Sequence, residues 1–536
     1  MRRRAVVVGL DGAAWHLLEP LLDAGCMPRL ASLRARGAGG VLTSTVPTYT
    51  PPAWTSAATG DNPGRHGIYG FYGGNAQSER QELMHSGKIK TATVWEMANA
   101  QGARAGIYHL PLTYPPRPLE GWMVSGMMTP GFGEKLKGFA QPPSIEQRVL
   151  EWAPDYAVDV SANWEQDWRD DALAERILVS LRQRRTVLRN LLELDPPDVT
   201  FAVLESPDRL QHVYYRYMDP SDDLYATPEG ARLRPAIARC FEAMDAIVGL
   251  LEDHAGPDGG VIVCSDHGFT AWQASVHTNA LLESWGYLRL KPAARALQTE
   301  AARRLVPVAK RFLPAKLARE AKGKTFAAID WSRTKAFASP IPQQGIFVNL
   351  AGRERFGIVA QSDLEGVKDD LVARFESLLG PDGRPVTDRV WRSEDVFEGG
   401  ARDGAPDLMP VLRDHRYELD DELFHRRPFT DQSHLPRGGH HPAGIALLAG
   451  PGVKAGHRID GSVLDITPTL LYMAGLEVPE GLDGSVLTDA WDEDHLTARP
   501  VRTMAPISST ERDESAPYTE EEEAVIEESL RGLGYL

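Results

Sequence analysis

The chain has 536 residues, 42% hydrophobic and 25% charged, which is the composition of a globular protein and excludes a mainly disordered, collagen-like or coiled-coil chain. Its 58 Lys and Arg residues against 74 Asp and Glu residues give a formal net charge of −16, and such an acidic surface repels nucleic-acid polymers. The 3 cysteines are widely spaced, so they offer neither a disulfide framework nor a zinc ribbon and suit a reducing compartment.

The amino-terminal segment lacks the pattern of a cleaved leader. Three arginines are followed by an apolar run, 5–10, that ends at Asp11 and is too short for the core of a signal peptide. No segment approaches the ~20 apolar residues that are needed to cross a bilayer. We therefore expect a cytoplasmic protein without a transmembrane segment, and the sequence leaves its oligomeric state open.

Four short apolar runs predict strands that are buried on both faces. They are rich in branched side chains, they show no polar alternation, and long helical stretches such as 172–194 and 236–254 lie between them. Strands that alternate with helices predict an α/β fold with a mostly parallel sheet and helices on both of its faces. The four runs are 5–10, 199–204, 260–264 and 444–449.

The middle of the chain has the composition of an insertion. Residues 291–324 are rich in Lys and Arg and carry Ala and Leu at helical spacing, which predicts a basic helical cap on the surface. The alternative is a lid or docking face for an anionic substrate or for membrane headgroups. The predicted domains are 1–290 and 428–500 for the two parts of the α/β core, 291–427 for the cap and an inserted α+β lobe, and 501–536 for a linker and C-terminal helix.

Side chains that bind metals follow three of the predicted strands. Asp11 comes directly after the first strand, and Asp266 and His267 come after the third. Asp208 and His212 follow the second strand at a spacing of four, which places both on one face of a helix. Since the carboxyl ends of parallel strands meet at one edge of a sheet, we expect these five side chains to converge there.

Two adjacent histidines, His440 and His441, precede the fourth predicted strand and extend the set. Carboxylate and imidazole ligands together suit Zn²⁺ best, with Mn²⁺ or Fe next. Each of these residues has an ordinary interpretation when taken alone, as a helix cap, a turn residue or a surface pair. Their joint placement at the strand ends is what favours a metal centre.

Thr50 lies between prolines and leads into a predicted helix from Ala53. This position puts a hydroxyl at a helix N-terminus, where backbone N–H groups and the helix dipole favour an anion. A metal on that hydroxyl would lower its pKa and make Thr50 a nucleophile near neutral pH. The alternative is that Thr50 only caps the helix. We expect His66, in a Pro-Gly-Arg-His-Gly segment, to shape a tight turn and not to bind metal.

These motifs, in this order, resemble the alkaline phosphatase superfamily and, within it, the type I phosphodiesterase/nucleotide pyrophosphatase family. The resemblance spans about 6–485 and implies an alkaline-phosphatase-like three-layer sandwich with an inserted smaller α+β lobe. The motifs that carry it are Gly9-Leu10-Asp11-Gly12, Thr50-Pro51-Pro52, Thr59-Gly60, His66-Gly67-Ile68, Pro207-Asp208 with His212, Ser265-Asp266-His267-Gly268, His440 ahead of Gly444, Leu464-Asp465-Ile466-Thr467-Pro468-Thr469-Leu470 and Asp483-Gly484.

The resemblance also implies a two-metal phosphohydrolase, with two zinc ions or, as the alternative, Mn²⁺. Thr50 would attack the phosphorus of a small phosphate ester, nucleotide-like or not, and water would hydrolyse the phosphothreonine. The ion that activates the nucleophile would be held by Asp11, Thr50, Asp266 and His267. The other would be held by Asp208, His212 and His440, with His441 as the rival for the last position.

Two positions depart from the family's pattern and affect the expected activity. Ala53 stands where an Asn helps to hold a phosphoryl oxygen, and Trp54 stands where nucleotide pyrophosphatases commonly have a His. Pro51 has no N–H to replace that contact, and Asn279 is a candidate for it unless it only caps a helix. We therefore expect a phosphodiesterase in preference to a monoesterase, and not specifically a nucleotide pyrophosphatase.

Three other functions remain as alternatives on the same scaffold. A sulfatase would need a Cys or Ser in a Cys/Ser-x-Pro-x-Arg context, which 50–54 does not supply. A phosphomutase of the phosphoglycerate mutase type would use Ser and carry a larger basic domain, for which 291–427 is misplaced. A non-catalytic scaffold of the same fold would not need the whole ligand set that this sequence keeps.

Overall fold

The computed structural model describes residues 3–74, 77, 82–131, 135–164, 166–295, 327–339, 345–510, 512–515 and 517–532. The strands of the described chain are β1 (Ala5–Leu10), β2 (Ala38–Thr43), β3 (Tyr72–Gly73), β4 (Glu82–Leu83), β5 (Ala105–Tyr108), β6 (Gly121–Val124), β7 (Ala140–Gln141), β8 (Val199–Leu204), β9 (Gly260–Cys264), β10 (Gly268–Ala271), β11 (Ala274–His277), β12 (Ala336–Ala338), β13 (Ile346–Val348), β14 (Thr387–Arg392), β15 (Leu408–Leu412), β16 (Tyr417–Asp420), β17 (Phe429–Asp431), β18 (Gly438–His441), β19 (Ala443–Ala449), β20 (Arg458–Ser462), β21 (Val478–Pro479) and β22 (Thr503–Met504). The α-helices are α1 (Trp15–Asp23), α2 (Pro28–Arg36), α3 (Thr50–Thr59), α4 (Pro63–His66), α5 (Val94–Ala100), α6 (Pro143–Trp152), α7 (Ala172–Leu194), α8 (Ser206–Met218), α9 (Pro228–Ala255), α10 (Thr278–Ser284), α11 (Pro292–Arg295), α12 (Leu364–Glu376), α13 (Ser393–Val396), α14 (Ile466–Met473), α15 (Glu493–Ala498) and α16 (Glu520–Gly532).

Two compact units make up the chain. The first, which we call the core unit, comprises Met1–Ile68, His85–Ala271 and Pro436–Leu536, and the second, the inserted unit, comprises Tyr69–Met84 and Trp272–Leu435. The sequence predicts an insertion of 291–427, and the longer segment of the inserted unit, Trp272–Leu435, contains that range together with β11, which pairs with β16 and β17. Of the expected basic cap, 291–324, only residues 291–295 belong to the described part of the chain, and the rest lies outside it.

A nine-stranded sheet forms the centre of the core unit, in the order β20-β2-β19-β9-β1-β8-β5-β6-β7. The five strands from β9 to β6 run parallel, and β19 runs antiparallel to both of its neighbours. The four apolar runs are confirmed as β1, β8, β9 and β19, and the first three are buried along their whole length. The predicted mostly parallel α/β sheet is therefore correct.

Helices cover both faces of this sheet, because the buried strands present apolar side chains in both directions. On one face, Ala5 and Val7 of β1 share an apolar cluster with Trp54 of α3 and Leu470 of α14. The helix α9 also contacts β1 and β9, together with α2, α7 and α8, but it contributes nothing to that cluster and lies on the other face. The core unit is thus a three-layer α/β/α sandwich, as predicted.

The inserted unit is an α+β structure with a core of its own. A four-stranded antiparallel sheet, β12-β13-β15-β14, packs against α12, and a three-stranded sheet has the order β16-β11-β17. The apolar core joins Phe337, Phe347 and Leu408 of the first sheet to Leu371 and Phe375 of α12. This confirms the α+β character that the sequence indicated for the insertion.

The carboxyl-terminal segment ends in the predicted helix, α16. Thr519 and Glu522 form a capping box, since the backbone N–H of each donates to the side chain of the other, and Leu530 is buried. No described helix is long and apolar enough to span a membrane.

Candidate active site

The carboxyl ends of three adjacent parallel strands, β9, β1 and β8, meet at one edge of the central sheet. Asp11 follows β1, and Asp266 and His267 follow β9 two and three residues after the strand ends. Asp208 and His212 lie one turn apart on α8, the helix that β8 leads into. All five are buried, so the structure brings together the five side chains that the strand-end argument selected.

His440 reaches the same edge by strand pairing. It lies on β18, which pairs antiparallel with β10, and its register partner is Phe269, two residues after His267. His440 Nε2 lies 3.1 Å from His212 Nε2 and 3.4 Å from Asp208 Oδ1. Side chains alternate along a strand, and the next residue, His441, instead accepts a hydrogen bond at Nδ1 from the N–H of Ala443. The structure therefore brings His440, and not His441, to the cluster.

Thr50 is the first residue of α3 and is fully buried. Its Oγ1 lies 3.4 Å from His267 Nε2. The N-cap of α3 is Tyr49, and no side chain caps this helix, so the structure does not support the alternative in which Thr50 is only a cap. Since Pro51 and Pro52 have no N–H, and Ala53 N–H donates to the Tyr49 carbonyl, the first turn offers a ligand only the N–H of Thr50.

One group of ligand atoms, from Asp208, His212 and His440, has spacings that fit a bound ion. Asp208 Oδ1 lies 3.2 Å from His212 Nε2 and 3.4 Å from His440 Nε2, and the two nitrogens are 3.1 Å apart. Ligands at ~2.0–2.1 Å from a tetrahedral zinc ion are separated by about 3.3 Å. Two imidazole nitrogens and a carboxylate oxygen therefore have the chemistry and the spacing of a zinc site.

A second group of ligand atoms, from Asp11, Asp266 and His267, has similar spacings. His267 Nε2 lies 3.6 Å from Asp11 Oδ1 and 3.3 Å from Asp266 Oδ2, in addition to its contact with Thr50. Both of these carboxylate oxygens are buried, and neither has a hydrogen-bond partner among the described residues. A buried carboxylate oxygen without a partner is costly, and a cation between them would remove that cost. The residues present thus fit two neighbouring cations.

Hydrogen bonds fix the direction in which the histidine rings face the cluster. His267 donates from Nδ1 to the carbonyl of Gly268 at 3.1 Å, and His440 donates from Nδ1 to the carbonyl of Thr48 at 3.0 Å. Because a carbonyl can only accept, each ring carries its proton on Nδ1 and presents the lone pair of Nε2 to the cluster. This arrangement is typical of metal-binding histidines.

Hydrogen bonds to one oxygen of each carboxylate orient Asp11 and Asp266 as well. The indole N–H of Trp54 donates to Asp11 Oδ2 at 3.1 Å, and the backbone N–H of Gly12 donates to Asp266 Oδ1 at 3.1 Å. Gln211 Nε2 donates to the carbonyl of Gly12 at 2.9 Å and holds that loop in place. Each carboxylate therefore directs its other oxygen toward His267.

Charge within the cluster is unbalanced without cations. Burial, reinforced by the charges of Asp266 and Asp208, raises the pKa of Asp11 well above its usual value, and burial raises the pKa of Asp266 to about 7. Burial also opposes ionisation of Asp208, but His212, His440 and Arg209 outweigh it and hold the pKa of Asp208 well below its usual value. Full ionisation of the first two carboxylates requires a local positive charge.

Sequence reasoning missed two residues at the site. Arg209 is buried, donates from Nη1 to Asp208 Oδ2, and pairs with Asp159 through Nη2 at 2.9 Å. Phe269 packs against the rings of His212 and His440, with centroid distances of 4.9 and 5.3 Å. Arg209 directly follows Asp208, and Phe269 lies two residues after His267, but closeness in sequence does not show which way a side chain points.

The remaining candidates have other roles in the structure. His66 is hydrogen-bonded through both ring nitrogens, Nε2 with Ser56 Oγ at 2.9 Å and Nδ1 with the N–H of Ile68 at 3.2 Å, as expected for a turn residue. Asn279 uses its amide within the inserted unit, where it accepts from Ala338 N–H and donates to two carbonyls. It is therefore not a replacement for the missing Asn at position 53.

A sequence model of the family described as type I phosphodiesterase / nucleotide pyrophosphatase matches residues 5–423. The chain belongs to this family. The match includes all of the candidate ligands except His440, which lies beyond its end. Membership supports a phosphoester hydrolase of the alkaline phosphatase superfamily. No curated protein sequence matches the chain significantly.

Solved structures agree with the fold. Phosphonoacetate hydrolase from Sinorhizobium meliloti 1021, in complex with phosphonoacetate, has a TM-score of 0.55 at 18% identity, over 88% of this chain and 96% of that one. The same hydrolase in complex with phosphonoformate has a TM-score of 0.54 at the same identity and coverage. Murine ectonucleotide pyrophosphatase / phosphodiesterase 5 in complex with AMP has a TM-score of 0.48 at 14% identity, over 91% of this chain and 100% of that one. The likeness to the hydrolase confirms the alkaline-phosphatase-like fold that the sequence predicted.

Proposed function

We propose that this family member is a two-metal phosphohydrolase that cleaves phosphodiesters through a covalent phosphothreonine at Thr50. The observation that carries the proposal is the contact of Thr50 Oγ1 with His267 Nε2, at 3.4 Å, inside a buried cluster of three carboxylates and three imidazoles. A hydroxyl at a helix N-terminus, beside ligand atoms of this kind, is placed to be activated as a nucleophile.

Two divalent cations, Zn²⁺ or alternatively Mn²⁺, would be held by the two groups of ligand atoms. When bound, they would lower the pKa of the Thr50 hydroxyl and neutralise charge on the phosphoryl group. The ion next to the nucleophile would have Asp11, Thr50, Asp266 and His267 as ligands. The other would have Asp208, His212 and His440.

The reaction would proceed in two displacements at phosphorus. In the first, Thr50 Oγ1 forms a bond to phosphorus, loses its proton, and the ester oxygen of the leaving group departs. In the second, a water oxygen attacks phosphorus, the Oγ1–phosphorus bond breaks, and Thr50 recovers a proton. The first turn of α3 adds the helix dipole, and the single available N–H, that of Thr50, can hold a phosphoryl oxygen.

A panel of substrates tests the reaction class. Purified protein is assayed with bis-p-nitrophenyl phosphate, p-nitrophenyl phosphate, p-nitrophenyl sulfate and phosphonoacetate, before and after removal of metal by a chelator. We expect the diester to be hydrolysed fastest, activity to fall at least tenfold on chelation, and Zn²⁺ or Mn²⁺ to restore it. Faster hydrolysis of the monoester, the sulfate or phosphonoacetate would replace the diesterase proposal, and inactivity toward all four would favour a scaffold.

Variants of α3 test the nucleophile. Thr50→Ala should abolish turnover, while Thr50→Ser keeps a hydroxyl and should keep part of it. Thr55→Ala is the matched control, because Thr55 is a buried threonine of the same helix whose hydroxyl has no hydrogen-bond partner in the described chain. A phosphorylated Thr50 peptide, trapped by acid quench and identified by mass spectrometry, would demonstrate the intermediate. Full activity of Thr50→Ala would contradict it.

A further inference from the structure

The three-stranded sheet of the inserted unit brings a second set of metal-type side chains together. β11 lies between β16, which runs parallel to it, and β17, which runs antiparallel. The last residues of the two parallel strands, His277 and Asp420, are register partners. The loop 421–428, which joins β16 to β17, must therefore cross the carboxyl end of β11, and it carries Glu422 and His425.

Backbone contacts hold that loop over the end of β11. At its start, the carbonyl of Asp421 accepts from the side-chain amide of Asn279 at 2.7 Å, and at its end the carbonyl of Pro428 accepts from the N–H of His277 at 2.9 Å. The N–H of Glu422 donates to Asp420 Oδ1 at 3.1 Å. Both ends of the loop are thus held beside the end of β11.

His277 is the buried centre of the set. It is only 3% exposed, and its Nε2 contacts Thr430 Oγ1 at 2.8 Å. Its Nδ1 lies 2.6 Å from Asp420 Oδ2 but makes no hydrogen bond with any described residue. His277 therefore presents a buried ring nitrogen next to a carboxylate oxygen, and both are atom types that a transition-metal ion binds.

The other ligands face this histidine. The His425 ring stacks on the His277 ring with a centroid distance of 3.5 Å and an interplanar angle of 21°, and His425 Nε2 is in contact with Glu422 Oε2. One ligand atom from each of His277, Glu422 and His425 lies within 4.8 Å of the others.

We propose that His277, Glu422 and His425 bind a further divalent transition-metal ion in the inserted unit, with Asp420 as an additional neighbouring carboxylate. Two imidazoles and a carboxylate suit Zn²⁺ better than Mg²⁺ or Ca²⁺, which prefer oxygen ligands. The ion would tie β11 to the loop 421–428 and stabilise the inserted unit. This proposal does not depend on the proposed function, since no residue of the core site takes part.

Metal content tests the site without reference to activity. The full-length protein is stripped with a chelator, dialysed against Zn²⁺, desalted, and analysed for zinc per chain by mass spectrometry. His425→Ala, Glu422→Gln and His277→Ala should each lose about one equivalent of zinc relative to the unmodified protein. The matched control is His457→Ala, which removes an exposed histidine of the core unit and should lose none.

The same measurement separates the two units. In an Asp11→Asn/Asp266→Asn background, the core site should hold less zinc, while His425→Ala should still remove one further equivalent. Equal zinc content with and without His425→Ala and Glu422→Gln, in folded protein, would overturn the proposal and leave only a His277–Asp420 ion pair. Circular dichroism verifies folding. If His277→Ala does not fold, the variants of Glu422 and His425 decide the question, because these two residues lie in a loop between strands.

Discussion

Asp208 differs from the other buried carboxylates of the core site because it has a permanent cation beside it. Arg209 Nη1 donates to Asp208 Oδ2, and the same guanidinium is held by Asp159 through Nε and Nη2. This pairing leaves Asp208 Oδ1 directed at His212 and His440. Arg209 is therefore expected to position this proposed metal ligand without contacting substrate.

Loss of that guanidinium should weaken metal binding. Since partners that orient a ligand typically contribute 10–100-fold in affinity or activity, Arg209→Met should lower zinc affinity by roughly that factor and kcat with it. Zinc titration with a competing chelator measures the first quantity. Arg216→Met, on the same helix but paired with Asp222, is the control, and equal affinity in both variants would contradict the role.

Trp54 is one of the two positions where the resemblance leads us to expect another residue, and its indole N–H has a defined use. It orients Asp11 by donating to Oδ2, and its ring packs edge-on against Phe201 with a centroid distance of 6.0 Å. A Cβ on Gly9 would lie 2.4 Å from this ring, so the strand leaves room for an indole only because residue 9 is glycine.

Trp54→Phe separates the hydrogen bond from the packing. The variant should lose about tenfold or more in activity, because the orientation of Asp11 is lost, and about 1–3 kcal/mol of stability through the smaller ring. Trp122→Phe is the matched control, since Trp122 is also buried and its indole donates once, to the carbonyl of Asp195. A similar loss of activity in both variants would show that only stability had changed.

At the scale of elements, the pairing of β10 with β18 decides which histidine joins the site. The register sets Phe269 opposite His440, and both strands are short, at four residues each. The strands approach closely because Gly438 has no side chain: a Cβ there would lie 2.7 Å from the Phe269 ring and 2.8 Å from the Cβ of Tyr215.

Gly438→Ala should therefore shift β18 and withdraw His440 from the cluster. We expect at least a tenfold weaker affinity for one of the two proposed ions, with the other ion retained, because Asp11 and Asp266 are not on β18. Zinc titration that resolves two binding steps measures this. Gly366→Ala serves as the control, because a Cβ there meets nothing within 4 Å. Two unchanged zinc affinities in Gly438→Ala would contradict this role of Gly438.

At the scale of the whole molecule, the buried carboxylates couple stability to pH and to metal. The pKa of Asp266 is about 7 in the fold and 3.8 in the reference state, so the folded protein binds a proton that the unfolded chain has lost between these values. In that window, the contribution of Asp266 to stability falls as the pH rises. Cations that bind only the folded state act in the opposite direction.

Metal-free protein should accordingly lose stability relative to its Asp266→Asn variant from about pH 4 to about pH 7, as followed by the difference between the two thermal unfolding midpoints. Added Zn²⁺ should raise the midpoint more at pH 7 than at pH 5, because the ligands are then more easily deprotonated. The comparison with Asp266→Asn is needed because burial lowers the pKa of histidines such as His66 and His109, which makes stability rise with pH over part of the same range. A midpoint difference between the two proteins that does not change with pH would contradict the assigned burial of this carboxyl group.

Much of the core unit followed from local patterns. Continuous apolar runs such as 5–10 can be satisfied only by burial on both faces, which gives parallel strands, and the strand ends then place Asp11, Asp208 and Asp266 together. The antiparallel direction of β19 could not be predicted, because a buried strand is an apolar run whether it lies parallel or antiparallel to its neighbours. The pairing of β11 has no local signal in the sequence either, since this strand is short and its partners lie more than a hundred residues away.

The sequence by itself determined the residue types that meet at this edge of the sheet, the order along the chain of the strands that present them, and the resemblance to the family, because these depend on short motifs and on burial periodicity. Only the tertiary structure decided between His440 and His441, gave Trp54 and Arg209 their partners, and brought His277 to Glu422 and His425. Register and side-chain direction are set by packing between segments that are distant along the chain, and no local pattern records that packing.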